Sequence, residues 1–411
     1  MLSSFSLRLS SPVFLLVTIS NRCPDCNAAG GGSICCKGGF TPPLGPSVDG
    51  QTRRYRIKLS HCHAAAGRLL PVLCYIQDLG TQTFKMVSRG GLGWLESVRL
   101  SKLPWLVHAF STRRGGLSPA PCAGLNLGFT ESDRRERVEQ NRRRFLELLG
   151  GKDFVPAAAR QVHSPHSWVV TRDRADRLAY QLPGIEDSVP AATNPPAGDG
   201  LMTAEPGILL TIRIADCLPA LLADPQRRVV AAVHAGWRGA LARVIEKSVG
   251  DMRRAFGSDP QKLIAALGPS IHACCYEVGE EVVEAFHGSF AGADRFFRPL
   301  PQRPPAAPDR HAILFLSEYP PGHAPEHVPA ARLDLTAVAR HQLASAGVKP
   351  ANIWVADYCT ACRTDLFFSH RQEGGRTGRQ AAAIGIRRSG DPVNTQRQAK
   401  LENRNSKIGR A

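Results

Sequence analysis

The chain has 411 residues, of which 43% are hydrophobic and 21% charged, the balance of a globular protein with a large core rather than of a disordered chain. Its net charge of +17 sits largely at the ends, with +6 on residues 1–85, +5 on 387–411 and +6 between them. Solvated basic tails account for that distribution, and no helix-turn-helix, RNA-recognition or zinc-finger pattern argues for a nucleic-acid partner.

Residues 1–85 read as an atypical Cys/Gly-rich extension, disordered or not native, with Gly30-Gly31-Gly32, scattered prolines and no sustained period. An apolar run at 12–19 is too short to span a membrane, and no clear cleavage site follows it. Cys23-Pro24-Asp25-Cys26, with Cys35, Cys36, His61, Cys62 and His63, resembles a zinc module, but its second half lacks a pair at finger or ribbon spacing. Six of the twelve cysteines lie in this stretch. Disulfide frameworks belong to short secreted chains, so the thiols are read as reduced and the protein as cytoplasmic.

Met86 opens a more orderly sequence and is a candidate start. From here the reading is α/β (α+β): a single large catalytic domain over 86–386, with a central mixed sheet flanked by helices. Trp105–Phe110 is a strand leading into the loop Ser111-Thr112-Arg113-Arg114-Gly115-Gly116. Residues 133–149 are charged, with Val138, Phe145, Leu146, Leu148 and Leu149 on one side, as in a surface helix. Leu209–Ile214 and Val229–Val233 are short, branched, apolar runs, hence buried strands. A helix over 239–256, a strand at Leu263–Leu267 and a helix over 277–287 follow. Residues 296–332 are a Pro/Ala-rich insertion. Leu333–Ala344 is a helix, Ile353–Ala356 a strand, and 387–411 a basic disordered tail.

Cys217 and His234 stand at the ends of two neighbouring apolar runs, and His163 lies upstream in Gln161-Val162-His163. One thiolate and two imidazoles are the ligand set of an open, catalytic zinc site. An inert buried thiol and a histidine with a satisfied ring are the plainer alternatives.

Four segments resemble the laccase-domain family, formerly multicopper polyphenol oxidases and now regarded as purine nucleoside phosphorylases. They are Ser111–Ser118 with Leu125-Asn126-Leu127-Gly128 and Asn141-Arg142; Gln161-Val162-His163; Gly198-Asp199-Gly200 through Ala215-Asp216-Cys217-Leu218-Pro219 to His234-Ala235-Gly236-Trp237-Arg238-Gly239; and Gly268-Pro269 with Cys275-Tyr276-Glu277-Val278-Gly279, then Cys359-Thr360, Phe367-Phe368-Ser369 and Thr377-Gly378-Arg379. The resemblance covers about 105–386 and departs from the family at His370 and Gln372 and after Gly268-Pro269.

The resemblance implies that His163, Cys217 and His234 bind zinc, with copper as the alternative metal, and form the catalytic centre. It implies phosphorolysis of adenosine, guanosine, inosine and methylthioadenosine, together with adenosine deamination. Arg113 and Arg238 suit phosphate through their planar donors, or brace loops. Asn126 binds substrate or caps a turn. Asp216 orients a ligand histidine or makes a structural hydrogen bond. Cys275 and Cys359 are read as packing or structural cysteines without a second metal. The partners are purine nucleosides and inorganic phosphate, with no nucleic acid or membrane, in a monomer or small homo-oligomer. Two other activities stay in view: a copper-dependent polyphenol oxidase and a hydrolase with Cys217 as nucleophile. The oxidase wants repeated His-x-His pairs, and the chain has 13 histidines but a single such pair, His61-Cys62-His63.

Overall fold

The computed structural model describes residues 83–184, 195–300 and 329–388, and the backbone of short strands elsewhere. The zinc-module reading of Cys23 to His63, most of the insertion and the tail beyond 388 lie outside the described residues. Within residues 1–82, which form a unit of their own, β1 (Ser4–Leu7) pairs antiparallel with β2 (Leu15–Thr18), and β3 (Tyr55–Lys58) with β4 (Tyr75–Asp78).

The second unit opens at Thr83. A six-stranded sheet is built from β5 (Phe84–Arg89), β6 (Leu92–Ser97), β7 (Leu106–Ser111), β8 (Val155–Ala157), β13 (Ile208–Ile214) and β21 (Gln380–Ile386), in the order β5-β6-β7-β21-β13-β8. An eight-stranded sheet contains β9 (Ser167–Arg172), β10 (Leu178–Gln181), β11 (Ser188–Pro190), β12 (Gly200–Thr203), β14 (Leu218–Asp224), β15 (Val229–Ala235), β16 (Ile264–Leu267) and β20 (Ile353–Val355). Its order is β11-β10-β9-β12-β15-β14-β16-β20. The sheets are mixed: β8 with β13, β9 with β12 and β16 with β20 are parallel pairs. A small third sheet joins β17 (Glu277–Val278), β18 (Phe297–Arg298) and β19 (Ala331–Leu333).

The α/β class read from the sequence is the class observed, with the β-structure shared between two large sheets rather than one. Strand residues alternate between faces, so each sheet presents an inner and an outer surface. Phe110, Leu210, Ile212 and Ile384 of the six-stranded sheet meet Leu201, Leu221, Val230 and Ala266 of the eight-stranded one in a shared core. On the outer face of the larger sheet, Leu222, Val233 and Leu267 pack with helices α3 (Val244–Phe256), α4 (Glu280–Ser289) and α5 (Leu335–Ser345). On the outer face of the smaller one, Trp94, Val107 and Leu209 pack with Phe145 and Leu149 of α1 (Arg135–Leu149). The order of layers is helix, sheet, sheet, helices.

The single helix expected over 239–256 is two, α2 (Trp237–Leu241) and α3, divided at Arg243 with φ +61°. A buried glutamine explains how the break is tolerated. Gln342 on α5 donates from Nε2 to Ala240 O at 2.6 Å and accepts at Oε1 from Ile245 N at 3.2 Å. One side chain thus serves groups that a continuous helix would pair internally. The helix expected over 277–287 begins later, at Glu280, because Glu277 and Val278 pair with β19.

Replacing this amide is costly because its backbone partners stay buried. Gln342→Leu is expected to lower unfolding free energy by about 1–3 kcal/mol, read from urea denaturation against the unsubstituted chain.

Candidate metal centre

The site lies where the chain passes between the two sheets. Residues 215–217 connect β13 of the smaller sheet to β14 of the larger. The connection from β8 to β9 makes the same passage and carries His163. Antiparallel pairing of β14 with β15 sets Pro219 opposite His234 and Leu218 opposite Ala235. Cys217 therefore emerges beside the end of β15, where His234 shares a strand face with Val230 and Ala232.

The three side chains converge. Cys217 Sγ lies 3.7 Å from His163 Nε2, and one potential donor atom from each of Cys217, His163 and His234 falls within 4.8 Å of the others. The two imidazole rings meet edge to face, with centroids 5.0 Å apart. His163 is exposed, Cys217 partly exposed and His234 buried. Beside them Gly236 leaves a space that no side chain can share. A Cβ there would stand 2.8 Å from His163 Nε2 and 3.0 Å from Cys217 Sγ.

Asp199, immediately before β12, holds this arrangement. Its carboxylate is 2.8 Å from His234 Nδ1 and accepts from the backbone amides of Val162, His163 and Ser164 at 3.2, 3.0 and 2.6 Å. Its main-chain oxygen accepts from His234 N at 2.7 Å. With Nδ1 occupied by Asp199, the Nε2 of His234 is the nitrogen available to a metal. His163 adopts φ +59°, an uncommon backbone for a residue with a Cβ, and the amide bonds to Asp199 hold it there.

The charges reinforce one another. Burial pushes the Cys217 thiol up, but the charge of His234 and hydrogen bonds from both imidazoles outweigh it and bring the pKa to about 6. Burial pushes His234 down, while the Cys217 thiolate and the Asp199 carboxylate hold it up at about 9. Against its own burial, Asp199 is lowered to about 2, chiefly by His234 and the Ser164 amide. A thiolate, two imidazoles and a carboxylate-oriented tautomer fit a tetrahedral metal that keeps one position open.

Asp216 makes structural hydrogen bonds, the second of the two roles read for it. It lies in the turn between strands at φ +83°, and its carboxylate accepts from Thr360 Oγ1 at 2.6 Å and Arg371 N at 2.7 Å. Asp199 does the orienting instead. Arg113 is a loop brace in this structure: it donates to Glu373 Oε1 and Thr364 O, both at 2.9 Å, and lies over the Phe368 ring. Asn126 is fully buried, donating to Asp133 at 2.8 Å and accepting from the amides of Gly128 and Arg379. Those bonds are a turn's bonds. Arg238, in the first turn of α2, is exposed and rests over Trp237.

Tyr276 and Arg371 had no expected role. Burial, then the negative charge of Cys217, raises the Tyr276 phenol, and Arg371 lies over its ring. Cys359 and Cys275 do pack, Cys359 within the core around α3 to α5 and Cys275 against it, as expected, and with Cys274 and Cys362 they also form a second convergent group.

Two mixed sheets packed face to face, with a Cys/His/His centre at their crossovers, define an α/β protein able to hold a metal between its sheets. A family model described as multi-copper polyphenol oxidoreductase laccase matches residues 107–387, and the chain belongs to that family. It is 35% identical over 298 residues to the purine nucleoside phosphorylase YlmD of Geobacillus stearothermophilus, covering 72% of this chain and 95% of that one. It is 32% identical over 292 residues to the adenosine deaminase RL5 of an unknown prokaryotic organism, covering 71% and 98%. The crystal structure of the Geobacillus YlmD is similar, with a TM-score of 0.58 at 33% identity over 74% of this chain and 99% of that one. These relatives carry the names of enzymes, which supports an enzyme here.

In metal-free protein, alkylation of Cys217 followed by peptide mass should reach half its plateau rate near pH 6, since the thiolate persists above that pH. His234→Gln should move the midpoint upward, because it removes the largest opposing charge. Asp199→Asn should weaken metal binding by about 10–100-fold, read by competition with a chromophoric chelator.

Proposed function

We propose that the chain is a zinc-dependent purine nucleoside phosphorylase with adenosine deaminase activity. The observation that carries the reading is the convergence of His163, Cys217 and His234 on one point, with Asp199 fixing the tautomer of His234. The names of the relatives supply the substrate class: nucleosides, with inorganic phosphate as the second substrate of phosphorolysis.

Bound zinc supplies Lewis acidity at neutral pH. His163, Cys217 and His234 hold it, and Asp199 keeps His234 turned toward it. Arg238 is the cation best placed for phosphate, being exposed four residues after His234, whereas Arg113 is engaged by Glu373. Arg371 and Arg238, with the negative Cys217 and Asp216, act on Tyr276, and these two arginines supply the cationic charge that an anionic co-substrate needs.

The thiolate beside two imidazoles also suits a nucleophilic cysteine. The second histidine favours the metal, because a nucleophile needs one base and this thiolate has two nitrogen neighbours, and the missing Cβ of Gly236 is what lets His163 and Cys217 come together.

Purified protein should carry zinc at this centre, and Cys217→Ser should lose both that zinc and phosphate-dependent release of hypoxanthine from inosine. Full activity in a metal-free Cys217→Ser chain would overturn the reading. Adenosine incubated without phosphate should yield inosine, and with phosphate should also yield adenine, both resolved by chromatography.

A further inference from the structure

Two connections leave the larger sheet together. One follows β16 and reads Ser270-Ile271-His272-Ala273-Cys274-Cys275; the other follows β20 and reads Asp357-Tyr358-Cys359-Thr360-Ala361-Cys362. Since β16 and β20 are parallel neighbours, both connections start from the same end of the sheet. Pairing continues beyond the strands through a bridge between Ser270 and Cys359, with Thr360 N donating to Ser270 O at 3.0 Å. The first connection then turns back, Cys275 N and Tyr276 N both donating to His272 O, at 2.9 and 3.0 Å. The turn sets the adjacent cysteines against the Cys-x-x-Cys segment.

Four sulfurs meet there. Cys362 Sγ lies 3.5 Å from Cys274 Sγ and 3.3 Å from Cys275 Sγ, and all four sulfurs are within 4.8 Å of one another. None is in a disulfide. A disulfide draws two sulfurs to about 2.05 Å and would satisfy one pair, but here Cys362 is shared by two neighbours. Four ligands at a Zn–S distance of about 2.3 Å stand about 3.8 Å apart along the edges of a tetrahedron, close to the spacing found. The amide of His272 points at Cys359 Sγ from 3.4 Å, as amides do toward ligand thiolates. Cys274 and Cys362 are exposed, so an ion can reach the group from solvent.

We propose that Cys274, Cys275, Cys359 and Cys362 form a second metal site, which takes one zinc ion as a closed tetrathiolate. Four protein ligands leave no open position, so its role is structural. What it fixes is the corner beside the first centre. Ile271 N donates to Asp216 O at 2.8 Å from one connection, and Thr360 Oγ1 donates to Asp216 Oδ1 at 2.6 Å from the other. The residue after Asp216 is Cys217, so a staple between the connections steadies a ligand of the first centre.

The test uses the full chain with Cys217→Ser, which empties the first centre and leaves the cysteine group unaltered. After chelation and reduction, titrated Co2+ should give the intense near-ultraviolet sulfur-to-cobalt bands of a tetrathiolate. The further pair Cys359→Ser/Cys362→Ser should abolish them. Peptide-resolved alkylation needs no substitution at the group: with zinc bound, Cys274, Cys275, Cys359 and Cys362 should resist the reagent at least tenfold relative to chelated protein. Equal reactivity with and without zinc, cobalt bands that survive loss of Cys359 and Cys362, or a Cys275–Cys362 disulfide in freshly purified protein would each overturn the proposal. None of these outcomes depends on whether His163 and His234 bind metal.

Discussion

One buried carboxylate governs the geometry of the centre. Asp199 engages the ring of His234 with one oxygen and gathers three successive amides around His163 with both. The carboxylate does this in a place where burial alone would favour its neutral form, and its pKa falls to about 2 because each contact prefers the charge. Two imidazoles of the candidate centre that approach from different directions are thereby tied to one residue. Their relative position is a property of Asp199 as much as of the strands that carry them.

The third side chain of the candidate centre has a different support. Cys217 sits on the turn by which the chain passes from one sheet to the other, and Asp216 anchors that turn to the segments around Thr360 and Arg371. Neighbouring carboxylates therefore divide the work: Asp199 positions the imidazoles, and Asp216 positions the backbone beneath the thiolate. The same logic separates the arginines. Arg113 is taken up by Glu373 and the Phe368 ring, whereas the more exposed Arg238 rests over Trp237 four residues past His234.

Much of this was legible in the sequence because it is local. Branched apolar runs mark β13, β15 and β16, and the ligand types Cys217, His234 and His163 stand at the ends of such runs or in a loop of similar character. What escaped is tertiary. Asp216 adjoins a ligand and invites a supporting role, whereas Asp199 is 35 residues from His234 in sequence and meets it only through the β12–β15 pairing. The division of one helix at Arg243 depends on Gln342, a residue 97 positions from the amide it accepts from. The cysteine group was half legible: Cys359-Thr360-Ala361-Cys362 has the Cys-x-x-Cys spacing of a ligand pair, but Cys274 and Cys362 are 88 residues apart and meet only through a parallel pairing.

That the first centre occupies the passages between two sheets has a consequence for the molecule's mechanics. His163 and Cys217 ride on connectors running from one sheet to the other, while His234 ends a strand of the larger sheet. An ion held by all three would act as a rivet through a laminate. Slippage of one sheet over the other would strain the coordination, and coordination would resist the slippage. The inter-sheet packing of Phe110, Leu221 and Val230 and the occupancy of the centre would then be two readings of a single quantity, the alignment of the layers.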